Sequence, residues 1–186
     1  TALAPISSLT LNGDGGNDTF QINSSDLTFT ASLTVNAGDG NDNVNLSGWA
    51  LTSTINGGAG TDTITGGSNN DSIDGGDGND TITGGLGNDT LLGGLGTDSI
   101  AAGGGDDFVN GGDGNDTIQG NDGIDTIRAG AGGATMDGGE GGDRLYGGAV
   151  SDTFVFGADI GQDNVYNFQS GSDHLDVSAL VDSFLD

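Results

Sequence analysis

The chain has 186 residues, of which 40 are Gly, 28 are Asp or Glu and only 2 are Lys or Arg, for a formal net charge of −26. Arg128 and Arg144 are too few to displace counterions from phosphates, which excludes nucleic acid and anionic membrane surfaces as partners, and with no Cys there is no disulfide framework, zinc thiolate or thiol nucleophile. Hydrophobic residues at 32% and aromatics at 5% are too sparse for a conventional one-core globule, and no apolar run approaches the roughly 18 residues of a membrane span.

Residues 1–56 repeat on a long period. Leu11-Asn12-Gly13-Asp14-Gly15-Gly16-Asn17-Asp18-Thr19-Phe20 is echoed by Val35-Asn36-Ala37-Gly38-Asp39-Gly40-Asn41-Asp42-Asn43-Val44 and again from Ile55 to Ile64. The steps from Asp18 to Asp42 and on to Asp62 are 24 and 20 residues. This predicts wide coils that keep one glycine-rich turn per revolution and replace the other with segments such as Ser25–Leu33. Trp49 has two readings, a sugar platform or packing over an irregular coil, and packing is favoured.

From Gly57 to Val155 the period is nine, held for eleven units without a gap. GGAGTDTIT, GGSNNDSID, GGDGNDTIT and GGLGNDTLL open the series. The sixth place is Asp in ten of the eleven: Asp62, Asp71, Asp80, Asp89, Asp98, Asp107, Asp116, Asp125, Asp143 and Asp152, with Ala134 the exception. The eighth place is always apolar, from Ile64 and Ile73 to Leu145 and Phe154. A disordered acidic tract has no reason to hold this register.

Glycines at places one, two and four are expected to supply positive φ for tight turns. The triplet around place eight, such as Thr63-Ile64-Thr65, suits a very short strand with its middle side chain inward. Two nonapeptides close a coil of 18, and stacked coils form parallel strands about 4.8 Å apart. Ile64, Ile82, Ile100 and Ile118 then make one buried ladder, and Ile73, Leu91, Val109 and Ile127 the facing one.

That interior is too thin to fold on apolar burial alone. One inward aliphatic side chain must offset the ordering of nine backbones, several of them Gly. Stacked turns also bring Asp side chains together, and two such charges about 5 Å apart repel by about 3 kcal/mol at an effective dielectric near 20. A divalent cation between turns reverses the sign of that interaction. The available ligands are hard oxygens on flexible turns, which favours Ca²⁺ over Mg²⁺.

GGDGNDTIT and GGDGNDTIQ resemble the nonapeptide GGxGxDxUx of the RTX (repeats-in-toxin, hemolysin-type calcium-binding) family. The resemblance implies an all-β, right-handed parallel β-roll or β-helix solenoid with Ca²⁺ between the turns, in a protein exported by a type I system from a Gram-negative bacterium. It implies metal ligation by the ten Asp named above and, in the looser N-terminal repeats, by Asp18 and Asp42. The turn positions it adds are Gly57, Ala59, Gly75, Asp77, Asn79, Gly84, Leu86, Asn88, Gly111, Asp113 and Asn115, chiefly through backbone carbonyls. Eleven turns with ions between neighbours give roughly ten Ca²⁺.

Three units depart from the pattern. Ala134 removes a carboxylate, and Asn69 and Val150 stand where the fourth Gly is expected. Asn tolerates a left-handed backbone, whereas Val150 is expected not to close its turn. After Val155, Asp163-Asn164-Val165-Tyr166-Asn167-Phe168 through Gly171-Ser172-Asp173-His174-Leu175-Asp176 resembles the segment that closes many RTX rolls. Phe154, Phe156, Ile160, Phe168, Leu175 and Leu180 are expected to pack as a small core over the last coil, since a solenoid end needs cover.

These features divide the chain into N-terminal longer-period coils (1–56), the nonapeptide roll (57–155) and a C-terminal cap segment (156–186), wound as one solenoid. No catalytic set can be assembled around the single His174, so the chain is not expected to be an enzyme. The favoured function is a structural module that folds on binding Ca²⁺ outside the cell, as part of a larger parent protein. Alternatives are a surface-layer or adhesin segment that self-assembles through calcium-filled rolls, and an accessory roll attached to a secreted hydrolase. Ice binding through Thr63/Thr65 and Thr81/Thr83 is disfavoured, because Ala101, Gln119 and Asp137 interrupt the array.

Overall fold

Strand and turn alternate along the chain as the nine-residue period requires. The computed structural model describes residues 8–23, 32–157 and 161–181. Nine parallel strands form one sheet, in the order Ser8–Asn12, Ser32–Asp39, Ser53–Ala59, Ser72–Asp77, Thr90–Leu95, Phe108–Asp113, Thr126–Gly130, Arg144–Tyr146 and Asn164–Tyr166. The facing sheet takes the intervening strands Thr19–Asn23, Asn43–Gly48, Thr63–Thr65, Thr81–Leu86, Ser99–Gly104, Asp116–Asp122, Ala134–Glu140, Thr153–Val155 and His174–Asp176. Consecutive strands therefore lie in opposite sheets, and the chain winds as a parallel β-roll. Among the described residues the one helix is the single turn Ser178–Val181.

The register follows the sequence spacing. Thr81, Ser99 and Thr117 are paired in steps of 18 residues. At the N-terminal end Ser8 pairs with Ser32 and Leu33 with Ser53, steps of 24 and 20. The two ladders form as expected: Ile64, Ile82, Ile100 and Ile118 continue into Met136 and Phe154, and Ile73, Leu91, Val109 and Ile127 continue into Leu145. All are buried.

Most strands are longer than the expected triplets. The ladder runs on through the glycine pair, as in Gly85 against Gly103, so Thr81–Leu86 spans six residues. Places two and four carry positive φ, for example 104° at Gly76 and 138° at Gly78. Place one does not. At Gly75 glycine is needed for space, since a Cβ would lie 2.6 Å from both the Asp80 Oδ2 and the Gly93 carbonyl of the next coil, whereas Ala102 and Ala129 fit a methyl at the same place of their own turns.

The two ends differ from the middle. Leu33, Val35, Ala37, Val44, Leu46 and Trp49 are all buried, so Trp49 packs in the core and is no sugar platform. Residues 25–31 of the expected insertion lie outside the described residues. At the other end Phe154 is buried and Phe156 packs against it, but Phe168 and Leu175 are 40% and 45% exposed. Phe168 still packs on Phe154, ring centres 6.0 Å apart, so the expected apolar cap forms as a half-exposed cover among the described residues (Ile160 lies outside them). The closing segment also adds one strand to each sheet, with Leu145 paired to Val165 and Phe154 to Leu175.

Candidate metal-binding turns

The place-six aspartates stack in two columns, one along each edge of the roll. Each carboxylate is aimed by its own strand, because place six immediately precedes the pairing at place seven. The first column holds Asp18, Asp42, Asp62, Asp80, Asp98 and Asp116. In it the Oδ1 of each Asp from Asp42 onward accepts the backbone N–H of the Asp one coil earlier, at 2.7–2.9 Å. The second column repeats the pattern through Asp71, Asp89, Asp107, Asp125 and Asp143. One oxygen of each carboxylate thus serves as a rung between coils.

The other oxygen decides what the turn can do. The Oδ2 atoms of Asp18, Asp42, Asp62, Asp80, Asp89, Asp98, Asp107, Asp116, Asp125 and Asp143 are buried without a hydrogen-bond partner. An unsatisfied buried carboxylate oxygen is costly, so ten in register call for a shared cause. For Asp18, Asp62, Asp80, Asp89, Asp98, Asp116 and Asp125, the glycine that opens the turn lies close to both that oxygen and a carbonyl of the following coil. The Cβ position of Gly57 is 2.6 Å from Asp62 Oδ2 and 2.4 Å from the Gly75 carbonyl, and that of Gly93 is 2.4 Å from Asp98 Oδ2 and 2.3 Å from the Gly111 carbonyl. Gly84 carries the same cradle with Asp89 Oδ2 at 2.5 Å. One carboxylate oxygen plus carbonyls is a donor set that a hard cation satisfies.

The remaining predicted turn residues are placed as follows. The carbonyls of Ala59, Asp77 and Asp113 each accept one backbone N–H at 2.7 Å, from Gly40, Gly60 and Gly96, which leaves a second lone pair. Leu86 holds the equivalent place at the end of its strand, with its side chain exposed. The Asn79 and Asn88 side chains are committed elsewhere, accepting the N–H of Thr97 and Asp106 at 2.8 and 3.1 Å. Asn115 lines a polar cavity of about 170 Å³ with Asp116, Gly133, Ala134 and Ser151, at the turn that lacks its carboxylate. There the Asp116 N–H turns to the Gly133 carbonyl at 3.0 Å.

Among the described residues no three acidic or imidazole side chains converge on one point, so backbone oxygens must complete any coordination. Burial pushes Asp80 and Asp107 up to about 6, and Asp89 and Asp125 up to about 7, from an ordinary 3.8. The N–H rung from the preceding coil works against that rise, and neighbouring carboxylates add to it. Asp62, Asp98, Asp116, Asp143 and Asp152 are raised for the same leading reason. Without a cation, these sites hold protons more readily than ordinary carboxylates.

Asp71 and Asp152 behave differently from the other ten. Their Oδ2 atoms accept the N–H of Gly67 and Gly148 in their own turns, both at 2.7 Å. These are the turns with Asn69 and Val150 at place four, and neither residue adopts positive φ. The Val150 turn closes after all, by way of its aspartate. The preceding strands, Thr63–Thr65 and Arg144–Tyr146, are cut to three residues because the glycine pair joins the turn.

Two residues in the columns were not among the predicted ligands. Asp163 accepts the Asp143 N–H at 3.0 Å, and Asp173 accepts that of Asp152 at 3.1 Å. The signal was present as Asp-x-aliphatic in Asp163-Asn164-Val165 and Asp173-His174-Leu175. Spacings of 20 and 21 residues hid it.

The outer threonines of one sheet form a column through Thr63, Thr81, Ser99 and Thr117, while the next column is broken at Ala101 and Gln119. Among the described residues no helix is long and apolar enough to cross a membrane.

Comparison with known proteins agrees with the geometry. No curated protein matches the sequence significantly. The family model of the RTX calcium-binding nonapeptide repeat matches residues 10–21, 56–91, 83–118, 92–127 and 119–154, more than half of the chain. With that coverage, and with a parallel β-roll built on the same period, the chain belongs to the RTX calcium-binding repeat family.

Proposed function

We propose that this chain is a calcium-triggered folding module of a larger exported protein: unfolded where calcium is scarce, and folded outside the cell. The observation that carries the reading is the set of ten buried carboxylate oxygens without partners. A cation supplies a positive charge and an electron-pair acceptor there, and the chain's own residues do the rest. The aspartates orient one oxygen inward because the other is held as a rung, and place-one glycines keep the cradle open. Gly75 and Gly111 offer carbonyls into these cradles, Gly84 offers its own at the Asp71 turn, and Ala59, Asp77 and Asp113 offer free lone pairs nearby. Ligation by these residues, several ions seated between stacked turns, and the division at residues 56 and 155 are parts of this proposal.

Export from a Gram-negative bacterium fits the same reading. A chain with a charge of −26 and few apolar residues stays open in low calcium and gains its shape only where the ion is plentiful. Calcium titration followed by circular dichroism tests the module. Strand signal should rise cooperatively with added Ca²⁺ and vanish with a chelator. A chelator-stripped chain that stays compact and melts cooperatively at neutral pH would refute it. Light scattering over the same titration separates a folding module, which stays monomeric, from a self-assembling surface layer.

A further inference from the structure

The two kinds of turn differ in whether the carboxylate is already satisfied. Asp71 Oδ1 accepts the backbone N–H and the hydroxyl of Ser53 at 2.7 and 2.8 Å, while Oδ2 accepts the Gly67 N–H. Asp152 Oδ1 accepts the Ala134 N–H at 2.9 Å, while Oδ2 accepts the Gly148 N–H. Asp173 is closed in the same way, with Asp152 and Gln169 as donors. In each case both oxygens are held by the chain itself. The turn is drawn tight by a bond four residues long and gives up the two left-handed glycines that shape its neighbours.

We propose that Asp71, Asp152 and Asp173 are latches that close their own turns in place of an ion, so that calcium occupies two staggered runs and not the whole roll. The inference rests on the calcium-module reading and adds which turns take part. The orphaned oxygens are contiguous within each column. Asp18, Asp42, Asp62, Asp80, Asp98 and Asp116 enclose five gaps on one edge, and Asp89, Asp107, Asp125 and Asp143 enclose three on the other. With one ion in each gap flanked by open turns on both sides, the chain holds about eight ions, below the ten or so that counting repeats suggests. The first edge is metal-free from Ala134 onward, and the second is metal-free at Asp71. The latched Asp71 turn is a metal-independent stop before the second run, and the missing carboxylate at Ala134 ends the first.

Counting bound calcium by native mass spectrometry at saturating ion, on the whole chain, tests this through variants at the exposed Asn69 and Val150 and at the buried Ala134. The natural chain should hold about eight ions. Asn69→Gly restores the open-turn pattern beside Asp89 and should add one, whereas Asn69→Ala should add none. Val150→Gly alone should add none, because its neighbours at Ala134 and Asp173 remain closed to calcium. Ala134→Asp alone should add one and the double variant two. Circular dichroism confirms that each variant is folded when counted. A natural chain holding one ion for every repeat gap, or an Asn69→Gly count equal to that of the natural chain, overturns the latch assignment while leaving the calcium module intact. A chain that binds no calcium overturns both.

Discussion

The wide N-terminal coils and the 18-residue central coils share one backbone path but fill it differently. In the strand Ser32–Asp39, three side chains face inward and are buried: Leu33, Val35 and Ala37. In the central strand Thr81–Leu86 the inward positions are Ile82 and Gly84. The register makes the exchange explicit, since Leu33 pairs with Ser53 and the next residue in that column is Asp71. Leu33 occupies the place of the aspartate, and Ala37 occupies that of the place-one glycine. On that edge an apolar side chain fills the place that carboxylate and carbonyl line farther along. If cations seat in those cradles as proposed, the N-terminal end, with one edge closed by burial, should depend less on metal than the centre.

Chelation is the strongest way to break that comparison. Stripping calcium at neutral pH should abolish amide protection across Ile82–Ile118, where each coil holds one aliphatic ladder residue per sheet. Protection across Leu33–Leu46 should outlast it by about tenfold or more, read by hydrogen exchange. Uniform loss in both stretches would mean that the apolar end has no stability of its own.

Acid should act in the opposite direction on the metal-free chain. Asp80, Asp89, Asp107 and Asp125 have folded values of about 6 to 7 against an ordinary 3.8, so the folded roll binds more protons than the unfolded chain between those limits. Stability without calcium is then greatest at and below about pH 4 and is lost as pH rises toward 7. With calcium present the trend reverses, because protons compete for the same oxygens. Circular dichroism of chelated protein at pH 4.5 and 7.5 checks the sign. More strand at the lower pH is expected, arising in the central coils.

Single substitutions separate the two means of closure. Trp49→Ala removes a fully buried indole and should cost about 3–5 kcal/mol even at saturating calcium, seen as a lower melting temperature. Asp98→Ala should instead shift the calcium midpoint upward, because it removes the rung accepted from the Asp80 N–H together with a proposed ligand oxygen. If Trp49→Ala moved only the calcium midpoint, the N-terminal coils would be metal-held like the rest.

Much of this was legible in the sequence because the period is short and strict. A place-eight aliphatic every nine residues gave both ladders, and the 24- and 20-residue steps gave the wide coils. What escaped depended on individual atoms. Asp71 fits the repeat pattern at its own position, and only the missing glycine two residues earlier reveals that its carboxylate turns back on Gly67. The place-one glycines were read as sources of positive φ, although the demand on them is the closeness of the next coil's carbonyl. Asp163 and Asp173 continue the columns beyond the strict register, where insertions alter the spacing but the stacked N–H rungs still form.

The smallest expected effect concerns neither means of closure. Arg128 lies on the outer face with its guanidinium carbon 4.9 Å from the Tyr146 ring centre and 5.9 Å from that of Phe108, and Tyr146 stacks on Tyr166 at 4.6 Å with planes 14° apart. An exposed cation–π contact contributes about 0.5–1 kcal/mol, so Arg128→Ala should lower the melting temperature of the calcium-loaded chain by a few degrees. The calcium midpoint should stay where it is, because the side chain points away from the carboxylate columns and toward water. Arg128→Lys separates charge from shape: a flexible ammonium keeps the charge but loses the flat stacking on Tyr146, and should recover only part of the loss. If Lys restored the melting temperature in full and Ala moved the calcium midpoint, the arginine would be acting by charge on the surrounding acids. The outer stack would then belong with the charge-held centre, and the contrast between the two regions would extend to the surface of the roll.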